Sequence, residues 1–123
     1  LENMFPRTQW LVNPEEFVDI LAKFPTLNLL LDIGHAHIEA GDGKKCLRFI
    51  EMFGDRIGHL HVSDNFGKED QHLPLGAGII DFSKIVSALK RIGYNDTVTL
   101  EVFSKDRDYL KISKRKMEEM FER

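Results

Sequence analysis

The sequence predicts an α/β fold: a partial (β/α)8 barrel, about a (β/α)4 half-barrel with parallel strands. Three observations carry this expectation. Glu2, Asp32, His61 and Glu101 each close a short apolar run, and the gaps of 30, 29 and 40 residues match the repeat of a βα unit. Between these runs lie stripes of apolar residues at helical spacing. No linker or low-complexity tract interrupts the 123 residues, so the whole chain, 1–123, reads as a single domain. Right-handed crossovers would set the strands side by side in one parallel sheet. A doubly wound four-stranded sheet is the alternative arrangement.

The elements follow in order. Leu1-Glu2-Asn3 reads as the end of a strand whose beginning is absent, and the chain as a fragment of a longer protein. Asn13 is an N-cap, Pro14 fits the first helical position, and Glu15 and Glu16 complement the helix dipole. Phe17, Ile20, Leu21 and Phe24 form the first stripe, which Pro25 ends. Leu27 to Asp32 is almost continuously apolar, as in a parallel strand covered on both faces. Cys46, Phe49, Ile50 and Phe53 form the second stripe, followed by the strand Ile57 to Val62. Strand parity puts Ile57, His59 and His61 on one face, toward the barrel axis, and Leu60 and Val62 on the other.

Asp81 caps a third helix with Phe82, Ile85, Val86 and Leu89, and Gly93 stops it. The strand Thr97 to Val102 turns Thr97, Thr99 and Glu101 inward. A last helix, Asp108 to Glu122, carries Tyr109, Ile112, Met120 and Phe121.

Composition bounds the function. A hydrophobic fraction of 42% with 30% charged residues is that of an ordinary folded domain, and a net charge of −3 provides no basic field for nucleic acid. A single cysteine, Cys46, excludes an intrachain disulfide framework and a multi-cysteine zinc site; it reads as a buried core thiol in a protein of the reducing cytoplasm. No apolar run approaches the ~20 residues that span a bilayer.

Three carboxylates and one imidazole at successive strand ends form a hard, oxygen-rich set, suited to a divalent metal ion (Mn, Mg, Co or Zn). Just beyond the second strand end, Gly34 permits a sharp turn and His35 folds back over the same mouth. His37 reads as an exposed loop histidine. His59, one layer below His61, reads as a hydrogen-bonded interior histidine or a ligand. The connection from Ser63 to Gly78 is long for a βα loop and holds Asp64, Asp70 and His72. Asp70 and His72, two apart, point the same way from an extended segment toward a metal or substrate hydroxyls. The Gly76-Ala77-Gly78 segment before a helix could approach a phosphate.

Taken together, Leu1-Glu2-Asn3, Leu31-Asp32-Ile33-Gly34-His35, His59-Leu60-His61-Val62-Ser63-Asp64-Asn65, Asp70-Gln71-His72-Leu73-Pro74-Leu75-Gly76-Ala77-Gly78-Ile79-Ile80-Asp81-Phe82 and Leu100-Glu101 resemble the C-terminal half of the xylose isomerase-like TIM barrel superfamily. That superfamily includes sugar-phosphate isomerases and epimerases, and the endonuclease-IV-type apurinic endonucleases (AP endonuclease family 2). On the sugar branch the resemblance implies one divalent ion on Glu2, Asp32, His61 and Glu101, Glu2 and Glu101 as the acid/base pair through an enediolate, and His35 as a substrate contact. On the endonuclease branch it implies that the same four, with His35, Asp70 and His72, hold part of a three-zinc cluster that activates water against a phosphodiester. The acidic balance and the Asp64-Asn65-Phe66-Gly67 segment favour the sugar reading, with a sugar or sugar phosphate as partner and nucleic acid second. A non-catalytic metal- or sugar-binding remnant is the third reading. A half-barrel leaves open edges and an uncovered inner face, so self-association or pairing with the missing N-terminal half-barrel is expected.

Overall fold

A computed structural model describes residues 1–123. Three parallel strands, β1 (Leu29–Asp32), β2 (Ile57–Val62) and β3 (Thr97–Leu100), lie side by side in chain order. Four helices, α1 (Val18–Lys23), α2 (Lys44–Phe53), α3 (Phe82–Arg91) and α4 (Asp108–Glu122), connect and follow them. The order never reverses, so the sheet is a segment of a parallel barrel and not a doubly wound sheet. The expected first strand is present only as a parallel bridge between Glu2 and Leu30, with the Leu30 amide donating to the Leu1 carbonyl at 2.8 Å.

The two faces of the sheet differ as strand parity requires. Leu31 pairs with Leu60 and Leu60 with Val98, while Val62 pairs with Leu100. These residues face the helices, and the core there joins Leu29, Leu31, Leu60 and Val62 to Phe17, Phe49, Ile50, Ile85, Val86 and Leu89. The opposite face carries two polar rows, His59 beside Thr97 and Asp32 beside His61 and Thr99. Ile57 departs from the expected parity. A register shift puts it opposite Leu29 while His59 pairs with Leu30, so Gly58 is the extra residue of a bulge and Ile57 turns into the core, 5% exposed.

The first helical segment begins as a 3₁₀ turn, Pro14–Phe17, after Asn13 in extended backbone. Glu16 reaches back to accept from the amides of Asn13, Val12 and Leu11, which lowers its carboxyl pKa. Phe17 and Leu21 are buried, but Phe24, expected in the same stripe, is 51% exposed because the helix ends at Lys23. Arg56 binds the freed chain end there, donating to the carbonyls of Leu21, Phe24 and Leu27.

The third helix matches its expected bounds, with the Asp81 side chain accepting from the Lys84 amide. In α4 the buried residues are Ser113 and Met117, whereas Tyr109 and Ile112 are exposed. The reason is polar: Ser113 Oγ accepts from the Leu75 amide at 3.1 Å, and Lys116 donates to the Leu75 carbonyl at 3.1 Å. Docking on that loop rotates the largest apolar side chains of the first turns outward. No helix is long and apolar enough to cross a membrane.

Candidate metal centre

Parallel strands deliver their carboxyl ends to one rim, and the side chains that end or follow the strands converge there. Asp32 and His61 are register partners, and the Glu101 amide extends β3 by donating to the Val62 carbonyl at 2.9 Å. Glu2 enters from the far side of β1 through its bridge to Leu30. One ligand atom from each of Glu2, Asp32 and His61 lies within 4.8 Å of the others.

His61 Nδ1 is the centre of this group. It lies 3.3 Å from Glu2 Oε1, 3.3 Å from Glu101 Oε2 and 3.8 Å from Asp32 Oδ2. Yet the atom is buried and has no hydrogen-bond partner. A buried ring nitrogen left unpaired among three carboxylates is costly unless a positive charge sits with them. The donor set of three carboxylates and one imidazole therefore fits a hard divalent cation.

The position of Asp32 is imposed by its backbone. Asn3, fully buried, donates from Nδ2 to the Asp32 carbonyl at 3.0 Å and accepts from the Asp32 amide at 2.7 Å. The His35 amide donates to Asp32 Oδ1 at 2.8 Å. Burial pushes the Asp32 carboxyl up to about 7 against the pull of the neighbouring His35. Burial also disfavours charge on His35, but Asp32, the Asn3 carbonyl and Asp70 outweigh it and hold that imidazole above its ordinary value. Asn3 was not legible as a site residue, because an asparagine after a strand end looks like any turn residue.

His35, Asp70 and His72 form a second cluster. His35 Nδ1 lies 2.8 Å from the Asn3 carbonyl and His72 Nδ1 lies 3.0 Å from the Glu101 carbonyl. A carbonyl only accepts, so both rings carry a proton on Nδ1. Both Nε2 atoms then face one oxygen, Asp70 Oδ2, each at 3.1 Å. In neutral rings these are two lone pairs aimed at a carboxylate; the arrangement needs protons on both rings or a cation between them. An imidazole whose other nitrogen is tied to a backbone carbonyl is also the usual form of a metal ligand. The segment is not simply extended: His72 has φ 54°, in the left-handed region. That turn stacks its ring on Phe103 at 4.2 Å and 17°. Phe5 lies 5.0 Å from the His35 ring.

The expectations for His37, Gly34 and the Gly76–Gly78 turn are corrected, and those for His59 and Cys46 are met. His37 is 1% exposed, its Nδ1 donating to the Ile33 carbonyl at 2.7 Å, and burial lowers its pKa. Gly34 has an ordinary helical φ of −60°; a Cβ there would stand 2.9 Å from Ser63 Oγ, so that hydroxyl would have to move. The amides of Gly76 and Gly78 do not await a phosphate, because the buried carboxylate of Asp64 already accepts from both at 2.9 Å. His59 hydrogen-bonds Thr97 Oγ1 at 2.6 Å and Thr99 Oγ1 at 2.9 Å, below the cluster and outside it. Cys46 is buried and burial pushes its thiol far up, as expected of a core cysteine.

A run of parallel βα units with a carboxylate–imidazole cluster at the strand ends defines a barrel segment that carries its site at the C-terminal rim. The family model for the xylose isomerase-like TIM barrel matches residues 1–122, and the chain belongs to that family. It is 34% identical over 119 residues to an uncharacterized protein of Methanocaldococcus jannaschii, covering 88% of this chain and 40% of that one. An L-ribulose 3-epimerase of a Methylomonas species is 34% identical over 82 residues, 67% of this chain and 26% of the enzyme. Among solved structures, a D-tagatose 3-epimerase-like protein superposes with a TM-score of 0.78 at 30% identity, over 99% of this chain and 46% of that protein. The chain thus spans less than half the length of these relatives.

Proposed function

We propose that this chain carries the metal site of a divalent-metal-dependent sugar or sugar-phosphate isomerase or epimerase, and that it is the C-terminal half of that barrel. The observation that carries this reading is the unpaired His61 Nδ1 facing Glu2, Asp32 and Glu101. Two of the names among its relatives, an L-ribulose 3-epimerase and a D-tagatose 3-epimerase-like protein, support a sugar carbonyl as the reacting group.

Glu2, Asp32, His61 and Glu101 would hold the ion, which when bound supplies electrophilic polarisation of the sugar carbonyl. The residues divide the remaining work by exposure. The Asp32 side chain is 2% exposed and cannot reach a substrate, whereas Glu2 and Glu101 are 33% and 26% exposed. One of these two carboxylates removes the proton beside the carbonyl, and the other returns one from the opposite side. Return to the same carbon on the other face epimerises; return to the neighbouring carbon isomerises. His35 and the aromatic rings of Phe5 and Phe103 border the place where the sugar would lie.

The polar inner face, with His59, Thr97 and Thr99, and the open outer edge of β3 are what an N-terminal half-barrel, or a second copy, would cover. Sedimentation of the chain at micromolar concentration tests the second copy: a monomer sinks it. The function itself is tested by incubating the full-length protein, loaded with Mn²⁺, with ketoses in D₂O. Solvent deuterium should enter at the carbon beside the carbonyl, and Glu101→Gln should abolish it. Undiminished exchange in that variant removes Glu101 from the mechanism.

The convergence of His35 and His72 on Asp70 favours one second reading, a multi-zinc phosphodiesterase of the endonuclease-IV type. Metal analysis separates the two: one hard ion per site supports the sugar enzyme, several zinc ions the phosphodiesterase. Ligand-dependent stabilisation without turnover would instead mark a binding protein.

A further inference from the structure

We propose that Asp64 is the positioning residue of the Asp70–His72 pair, a buried anion around which the long connection after β2 is wound. Asp64 and its neighbour Asn65 are both fully buried. The Asp64 carboxylate is held by backbone amides. Oδ2 accepts from Gly76 and Gly78, both at 2.9 Å, and Oδ1 accepts from Asn65 at 2.9 Å and Ile80 at 3.2 Å. Its own backbone pairs with Leu73 in both directions, at 2.9 and 2.8 Å. One residue therefore binds the start, the middle and the end of the connection.

Asn65 completes the hub. Its Nδ2 donates to the Gly34 carbonyl at 3.0 Å, its Oδ1 accepts from Gly67 at 2.8 Å and its carbonyl accepts from Ile79 at 2.9 Å. Gly34 immediately precedes His35, so the same hub sets the spacing between the turn that carries His35 and the loop that carries Asp70 and His72. There is no room for slack at the crossing: a Cβ on Gly78 would stand 2.2 Å from the Asn65 carbonyl oxygen and 2.4 Å from Asp64 Oδ1.

A carboxylate suits this role for a reason of counting. Four N–H donors converge on two oxygens, two on each, and an ionised carboxylate has acceptor sites for all of them. An asparagine in the same place has one oxygen; its NH₂ would face two N–H groups, and no flip of the amide satisfies both pairs. Asp64→Asn, nearly isosteric, thus removes the winding point without removing volume. Asp70 and His72 themselves are untouched by the change.

The inference rests on the reading of His35, Asp70 and His72 as a binding cluster, and the experiment separates the two. In the full chain without metal, the stacking of His72 on Phe103 shifts the His72 ring protons upfield. Asp64→Asn should abolish that shift, while Arg56→Met, a destabilising change remote from the loop, should leave it in place. With Mn²⁺ or Zn²⁺ alone, Asp64→Asn should weaken any ion that depends on Asp70 by about 10–100-fold, as removal of an outer supporting residue does. Retention of the ring-proton shift in Asp64→Asn overturns the proposal. If the shift is lost but Asp70→Asn binds metal like the unmodified protein, the binding cluster has failed and the positioning role stands. Should Asp64→Asn not fold, hydrogen exchange in the unmodified chain decides. The amides of Leu73, Gly76, Gly78 and Ile80 must be protected together, and fast exchange there beside a protected β2 overturns the proposal.

Discussion

His61 Nδ1 and Glu101 Oε2 approach to 3.3 Å across neighbouring strands without forming a hydrogen bond. With Glu2 at the same distance on the other side, the ring nitrogen is enclosed by acceptors that have nothing to share. Such an enclosed nitrogen among carboxylates suits the binding of a divalent ion.

Replacing His61 by alanine, or Glu101 by glutamine, should weaken Mn²⁺ binding by about 100-fold or more, at the upper end of what loss of a mere supporting residue costs. Titration calorimetry on the two variants checks this. Equal affinity in His61→Ala would remove the imidazole from the ligand set.

Metal removal should make stability depend on pH with a definite sign. The Asp32 carboxyl is raised from 3.8 to about 7 in the fold, so the folded chain holds that proton more tightly than the unfolded one. Its contribution is fully present below about pH 4 and is lost as pH rises through about 7. His35, also raised, loses its contribution as pH rises above about 6.5 and through its folded value, so the two effects add. His37, lowered by burial, acts with the opposite sign, and only as pH falls below about 6.5. In EDTA the melting temperature should therefore fall as pH rises from about 6.5 through about 7 and on through the folded value of His35, and Mn²⁺ should restore it most at the upper end. A flat profile in EDTA counts against the buried carboxylate as the controlling group.

Gly78→Ala should destabilise the fold by about 2–3 kcal/mol, because the added methyl meets a backbone carbonyl and a buried carboxylate that cannot both retreat. Urea denaturation measures it. Gly93→Ala makes a useful contrast: nothing lies within 4 Å of the new Cβ, and any cost there comes from the φ of 72° alone.

The Cys46 thiol should resist modification in the folded chain. It is completely buried between α2 and the sheet, and burial raises its pKa, so neither access nor thiolate is available. Reaction with a thiol reagent should appear only with unfolding; fast labelling under native conditions would mean that α2 opens locally.

Much of this architecture was legible in the residues. Strand ends and helix stripes are local patterns with short periods, so Ile57–Val62, Phe82–Arg91 and Asp108–Glu122 were bounded correctly, and the acids and imidazole at the strand ends were found by topology alone. Where the structure differs from these patterns, a specific hydrogen bond or a change of register overrides them. The outward face of Tyr109 and Ile112 follows from Ser113 binding the Leu75 amide, and the burial of His37 from the Ile33 carbonyl. The inward turn of Ile57 follows from the bulge at Gly58.

By itself, then, the sequence determined the α/β class, the parallel order and which four side chains, Glu2, Asp32, His61 and Glu101, stand at the strand ends, because periodicity and strand parity act over a few residues. Only the tertiary structure decided how they meet: that His61 Nδ1 is left unpaired among three carboxylates, that His35 and His72 share one oxygen of Asp70, and that Asp64 fills the glycine-rich turn. These depend on contacts between residues 2 to 59 positions apart, where hydrogen-bond geometry and burial, rather than local pattern, select the partner.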